Sequence, residues 1–412
     1  MTALAYDPFD LDFLADPYPA LAHLREHDPV HHRPADGRAP AFWALSRFEH
    51  VWDAVRRPEL FSSASGLTFF DDEIGQLGIP PTMVMLDPPT QTRLRNLIGR
   101  GFTPRRVTVL EDRIRSFVRE RIAGLEQVTR DGGTADLHRD FSSTVPTYVL
   151  AELFGIPVAD RHRFAPWVHA LTQVQNDGLR LDADGAGATA LTAMAEMMEY
   201  FTATIASRRA APADDLLGAL VAAEIAGDDG EPQRLTDWEI LGFCFVVVAG
   251  GTDTTASLIS HSAILLGDNP DQRALLLDDP DLVGPALTEL LRLESSVQAL
   301  ARTTTADVEV DGVTIPAGEK VMMLYGAANR DPREFGPTAD RLDVRREIRR
   351  HLAFSSGPHF CIGSHLARLQ ARVALTELLA AHPHLQVDAA AGTRHESAFV
   401  RGWLSLPVTD LG

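Results

Sequence analysis

The 412-residue chain is 45% hydrophobic and 23% charged, a balance that excludes a disordered or fibrous protein and supplies apolar side chains for a large core. Lys plus Arg number 38 against 57 Asp plus Glu, a net charge of −19, so the long-range field repels phosphates and argues against nucleic-acid binding or residence on an anionic membrane. Cys244 and Cys361 are the two cysteines, which excludes a disulfide framework and a four-cysteine zinc site and suits a reducing cytosol.

The N-terminus, Met-Thr-Ala-Leu-Ala-Tyr-Asp-Pro-Phe-Asp, has neither the basic start nor the apolar core of a secretion signal, so a cytoplasmic location is expected. At about 150 residues per domain the length allows two or three domains or one large unit. No repeat divides the chain, and breaker residues do not gather into one linker. The residues leave that choice open; a single domain over residues 1–412 is the expectation that a family resemblance, carried by motifs farther along the chain, supplies. Residues 182–189 and 227–232 read as surface connections, and residues 191–209 between them have the apolar spacing of an amphipathic helix ending in Arg208 and Arg209.

The strongest helix starts at Thr236-Asp-Trp-Glu239, a capping box, and runs to Gly267-Asp-Asn-Pro270. At 1.5 Å per residue it is about 45 Å long. Its uncharged runs on either side of Asp253 are 13 and 14 residues, short of the roughly 20 a spanning helix needs, so no membrane span is expected. Ala249-Gly-Gly-Thr-Asp-Thr-Thr255 is an odd helix centre, because two glycines cost about 2 kcal/mol relative to alanines. Tight helix packing is one reason to keep such a pair. Farther on, Val308 and Val310, then Val313 and Ile315, flank the hairpin turn Asp311-Gly312, and a further strand follows at 321–324. Long helices with one small β region give an α+β fold, predominantly α-helical.

Phe354-Ser-Ser-Gly-Pro-His-Phe-Cys-Ile-Gly363 precedes a helical pattern at Leu366, Leu369 and Val373. A sulfur at a helix N-terminus meets unpaired N–H groups and the positive end of the dipole, which predicts a lowered pKa for Cys361 and a thiolate suited to nucleophilic attack or metal ligation. Cys244, between Phe243 and Phe245, reads as core. The chain lacks a phosphate-binding Gly-x-x-x-x-Gly-Lys loop, His-Glu-x-x-His and Gly-x-Ser-x-Gly. Its nearest approach to a dinucleotide fingerprint, Gly185-Ala-Gly187, follows no strand, so NAD(P)H and flavin are expected on other proteins.

The spacing of Phe354, Gly357, His359, Cys361 and Gly363 resembles the haem-binding signature of the cytochrome P450 superfamily. The resemblance is to soluble actinobacterial members of the bacterial class I type, and it includes Leu86-Asp-Pro-Pro and residues 100–104, 329–332 and 405–407. It implies the cytochrome P450 fold, with the long helix over the haem, and haem b (iron protoporphyrin IX) held by the Cys361 thiolate. An anionic sulfur favours O–O cleavage, and Gly250, Phe354 and Gly363 shape the site. The propionates would be met by Arg95, Arg302 and His359. Gln91 stands where the family usually has His; it can donate a hydrogen bond but carries no charge. Asp253 and Thr254 would be catalytic, Asp253 relaying protons and Thr254 orienting water. Glu289 and Arg292, with Arg346, would hold the core.

By the same resemblance the chain is a haem-thiolate monooxygenase that activates O2 with two electrons from a ferredoxin and ferredoxin reductase and hydroxylates a mostly apolar organic substrate. Residues 61–85 and 167–200, with Phe69, Phe70, Met83, Met85, Val174 and Leu179, would line the cavity. The basic stretch Arg341, Arg345, Arg346, Arg349, Arg350 and His351 would guide an acidic ferredoxin. A haem-thiolate peroxygenase or peroxidase is the alternative, against which the intact Asp253-Thr254 pair argues. A haem-based gas sensor or carrier would need neither that pair nor an electron partner.

Overall fold

The computed structural model describes residues 6–70, 82–101, 103–164, 166–168, 170, 186–226 and 231–411. Helices dominate because their apolar residues recur at three and four positions. In Glu111–Arg130, Ile114, Val118, Ile122 and Leu125 form one buried stripe. In Ser364–Ala381, Leu366, Leu369, Val373 and Leu378 do the same, and the two helices pack on each other. The largest core joins these stripes to Leu150, Ile240, Leu258, Leu287 and Trp403. Cys244 is fully buried there, as core.

The β region is a five-stranded mixed sheet in the order Val30–Arg33, Phe42–Leu45, Lys320–Met323, Leu300–Thr304 and Phe61–Ser62. Phe42–Leu45 and Lys320–Met323 run parallel, with Trp43 opposite Val321; the other neighbours are antiparallel. The hairpin at Asp311-Gly312 forms as expected, with both residues at positive φ, 51° and 77°, which suits a tight two-residue turn.

Three expectations change. Residues 182–189 are not wholly a connection: the helix Ala186–Ala210 begins within them, while residues 171–185, including Val174 and Leu179, lie outside the described residues. Residues 227–230 also lie outside them, and Pro232 opens the strand Pro232–Arg234, which pairs with Glu224–Ala226. The long helix begins at its capping box, with Thr236 accepting from the Glu239 N–H, but is interrupted at Thr252 into Asp237–Gly251 and Asp253–Asp268. Together these segments are long and apolar enough to cross a bilayer. Two thirds (67%) of their most apolar window is nevertheless buried inside the protein, which makes them its core helix.

Candidate active site

The cysteine loop is fixed by its own backbone. The Cys361 N–H donates to the Phe354 carbonyl at 2.9 Å and the Phe360 N–H to the Gly357 carbonyl at 3.1 Å. Gly357 has φ 65°, and a Cβ there would stand 3.0 Å from the Val55 carbonyl oxygen, so both conformation and space require glycine. Gly363 stands at the N-cap of the helix Ser364–Ala381, and a Cβ there would be 3.9 Å from the Cys361 sulfur, an ordinary contact, so space does not demand glycine at this position. Cys361 therefore sits at a helix N-terminus as expected, but its thiol pKa is raised, not lowered. Burial disfavours the anion more strongly than the Gly363 and Ser364 N–H groups and Arg95 favour it. A coordinated metal would remove that penalty, since a metal-bound thiol loses its proton outright.

The loop opens onto a cavity of about 1360 Å³, partly open to solvent. Its lining is mostly apolar and brings together residues far apart in sequence: Gln91, Arg95, Gly250, Thr254, Phe354, His359, Cys361 and Gly363 all face it. The glycines of the helix are not there for packing among the described residues, because there a Cβ on Gly250 would meet nothing within 4 Å and one on Gly251 only ordinary contacts. Three hydroxyls explain the interruption. Thr252, Thr254 and Thr255 donate back to the carbonyls of Val248, Gly250 and Gly251 at 2.9, 2.7 and 3.2 Å, a pattern that bends helices.

The cationic side of the site departs from expectation in detail. Arg95 is half-buried, its pKa is lowered by desolvation, and it has no carboxylate partner among the described residues. Arg302 is buried and donates to the Ala301 carbonyl at 2.7 Å; it does not line the cavity, but its charge reaches His359. Burial, then Arg302 and Arg95, push His359 down to about 3, so it is a neutral ring facing two cations, bonded to the Ser63 hydroxyl at 3.1 Å. Gln91 uses one of its two amide N–H groups on the Pro358 carbonyl at 2.7 Å, which ties the helix Thr90–Gly101 to the cysteine loop, and keeps the other.

Asp253 does not line the cavity; its carboxylate meets the His395 ring at 3.1 Å on the buried side of the helix. Phe69 and Met85 are buried without lining the cavity either. Phe69 packs with Phe9, Phe42 and Phe399 in a separate core, whereas Met83 does line the cavity. Trp167 and Tyr200 pack against Phe164. Glu289, Arg292 and Arg346 do come together: Arg292 makes two bonds to Glu289 at 2.6 and 2.8 Å and Arg346 a third at 3.1 Å. Of the basic stretch, Arg346 is thus used internally, and so is Arg350, which pairs with Glu334 and Glu49. His351 is half-buried against Arg368; Arg341, Arg345 and Arg349 remain exposed.

Sequence reasoning missed Ser63 and His395. Neither carries a local signal, since each meets its partner only through the fold.

A family model described as Cytochrome P450 matches residues 277–388. Cytochrome P450 130 of Mycobacterium tuberculosis is 44% identical over 395 residues, 95% of this chain and 94% of that protein. A protein named vitamin D(3) 25-hydroxylase, of Pseudonocardia autotrophica, is 38% identical over 98% of this chain and 96% of its own length. Among solved structures, Mycobacterium marinum cytochrome P450 CYP268A2 in complex with pseudoionone superposes with TM-score 0.85 at 33% identity, covering 100% of both chains. CYP109E1 of Bacillus megaterium in complex with testosterone does so with TM-score 0.81 at 26% identity, covering 95% of this chain and 99% of its own.

Proposed function

The chain belongs to the cytochrome P450 family, and we propose that it uses haem b to hydroxylate a mostly apolar organic substrate, with two electrons supplied through a ferredoxin and its reductase. Family membership makes it an oxidoreductase, a P450 monooxygenase with a haem-iron cofactor that uses O2, an organic substrate and redox partners. The proposal adds the haem type, the substrate class, the electron donors, the residue roles, a single domain over residues 1–412 and a cytoplasmic location.

One observation carries the reading: Cys361 and Thr254, from loop and interrupted helix, line one apolar cavity. The residues present fit haem. Open space over Gly250 accommodates a flat ring, and Arg95, desolvated without a counter-ion, with Arg302 and a neutral His359 behind it, suits buried propionates. When bound, haem supplies the redox-active iron, and a thiolate ligand makes it suited to O–O cleavage. Cys361 would be that ligand, held by the Phe354 carbonyl and the Gly363 turn. The Thr254 hydroxyl spends its proton on the Gly250 carbonyl, so it offers lone pairs to water in the cavity and donates only after releasing that carbonyl. Asp253, one residue earlier, would hold and release the proton.

Vitamin D(3) and testosterone, in the names of two relatives, are large apolar molecules, which supports an apolar substrate. Exposed Arg345 and Arg349, just before the cysteine loop, suit an acidic electron donor.

The test is the ferrous carbon monoxide spectrum of haem-loaded protein: the far-red-shifted Soret band of thiolate ligation is expected in the wild type and lost in Cys361→Ser. Its absence from the wild type overturns the assignment. Product formed with NAD(P)H, reductase and ferredoxin, but not with peroxide alone, separates the monooxygenase from a peroxygenase.

A further inference from the structure

Behind the interrupted helix, away from the cavity, lies a buried polar layer with which the roles proposed for Asp253 and Thr254 do not deal. Asp253 is 8% exposed, and its Oδ1 is 3.1 Å from Nε2 of His395, itself 5% exposed. A buried carboxylate without a partner is strongly disfavoured, so this contact is where Asp253 is held. His395 follows the strand Thr393–Arg394, and Gly402 precedes its partner strand Trp403–Ser405; the His395 N–H donates to the Gly402 carbonyl at 3.2 Å. A Cβ on Gly402 would stand 2.8 Å from Cδ2 of His395, so the missing side chain makes the room in which the imidazole reaches the helix. His395 also lines a second pocket, of about 460 Å³ including its open side, with Tyr6, Leu14, Gln298, Ser397 and Arg401 among its walls. The imidazole thus stands between that pocket and Asp253, while Thr254, the next residue, lines the large cavity.

We propose that His395 is a relay and positioning residue that passes protons from solvent in the second pocket to Asp253, from which they reach the cavity beside Thr254. The inference rests on the proposed role of Asp253. A proton taken up on one ring nitrogen and the Nε2 proton passed to the carboxylate leave a neutral imidazole in its other tautomer. One proton moves and no electron does; because Asp253 does not itself line the cavity, its protonated side chain must turn from His395 past Thr254 to release the proton there, which restores the carboxylate. The surrounding groups are suited to this. His138, held near pH 4 by burial, is a neutral neighbour of both Asp253 and His395, bonded to Ser260 at 3.1 Å. His261, held near 3 by burial, is neutral as well. Glu294 is tied up by Arg401 at 2.6 Å and by Arg330 at 3.2 Å, Asp136 by Ser405 and the Leu406 N–H, and Arg394 lies over Trp403. None of these groups bridges the second pocket and Asp253 as His395 does.

Two variants separate relay from mere positioning. His395→Gln keeps an N–H for Asp253 but cannot pass a proton on; His395→Phe removes both. Haem loading is checked by the carbon monoxide spectrum, and NADH oxidation driven by a surrogate ferredoxin and its reductase is measured without substrate in H2O and D2O. General acid catalysis is worth about 10²–10⁴-fold, so a fall of at least about tenfold, with a larger solvent isotope effect, is expected for both variants. In the diamagnetic ferrous carbon monoxide complex, a low-field Nε2–H proton resonance of His395 should move upfield in Asp253→Asn, where the acceptor is neutral. A wild-type rate and isotope effect in His395→Gln overturn the relay, whether or not His395→Phe is slow. If Asp253→Asn itself turns over normally, the role of Asp253 fails instead.

Discussion

Gly402→Ala tests the packing that seats His395. Gly402 does not have positive φ, so alanine is conformationally acceptable there and the cost is steric. The new Cβ would lie 2.3 Å from Ser257 Oγ and 2.8 Å from His395 Cδ2, distances at which something must shift. Forcing a methyl into a filled core costs about 1–3 kcal/mol. Ser257 supplies the means of checking the cause, because its hydroxyl is buried and has no hydrogen-bond partner among the described residues. Removing an unsatisfied buried hydroxyl is worth about 1 kcal/mol or more, so Ser257→Ala alone should stabilise. It also removes the nearer of the two clashes. The double variant should therefore be more stable than the sum of the single effects by about 0.5–3 kcal/mol, as for residues in contact. Urea unfolding of the haem-loaded protein, wild type and three variants, measures this cycle. Additivity within about 0.5 kcal/mol would refute the reasoning, since it would mean that the alanine methyl does not meet Ser257.

Thr254→Ala should divert electrons to peroxide, read as peroxide formed per NADH, because the cavity loses the hydroxyl that receives water; full coupling with a substrate found by spin-shift screening would contradict it. Reversing Arg345 and Arg349 to Glu should slow electron transfer from ferredoxin and flatten its salt dependence, whereas the same change at Arg350 breaks pairs with Glu334 and Glu49 and should also lower stability. Burial holds His261 at about 3, below its free value near 6.5, so the unfolded chain binds a proton that the folded chain does not. Its contribution is intact above pH 6.5 and is lost as pH falls toward 3, by up to about 1.4 kcal/mol per unit. His261→Leu should make urea stability between pH 7 and 5.5 less steep, and an unchanged slope would show that His261 is not buried neutral.

The features legible in the sequence are those whose cause is local. The capping box at Thr236 and Glu239, the turn at Asp311-Gly312 and the glycine-bracketed loop of Cys361 each depend on residues within a few positions of one another, so spacing alone specifies them. The Gly250-Gly251 pair announced an anomaly in the helix, but its cost in propensity left the reason for it open. Tertiary structure decided the rest, because it turns on which groups meet across long separations. Asp253 faces His395 from 142 positions away, Gln91 donates to the Pro358 carbonyl from 267, and Ser63 reaches His359 from 296. Burial also reversed a sign that local reasoning had set. A helix N-terminus lowers a thiol pKa, but desolvation of Cys361 outweighs it, and desolvation depends on how much of the rest of the chain closes over the sulfur.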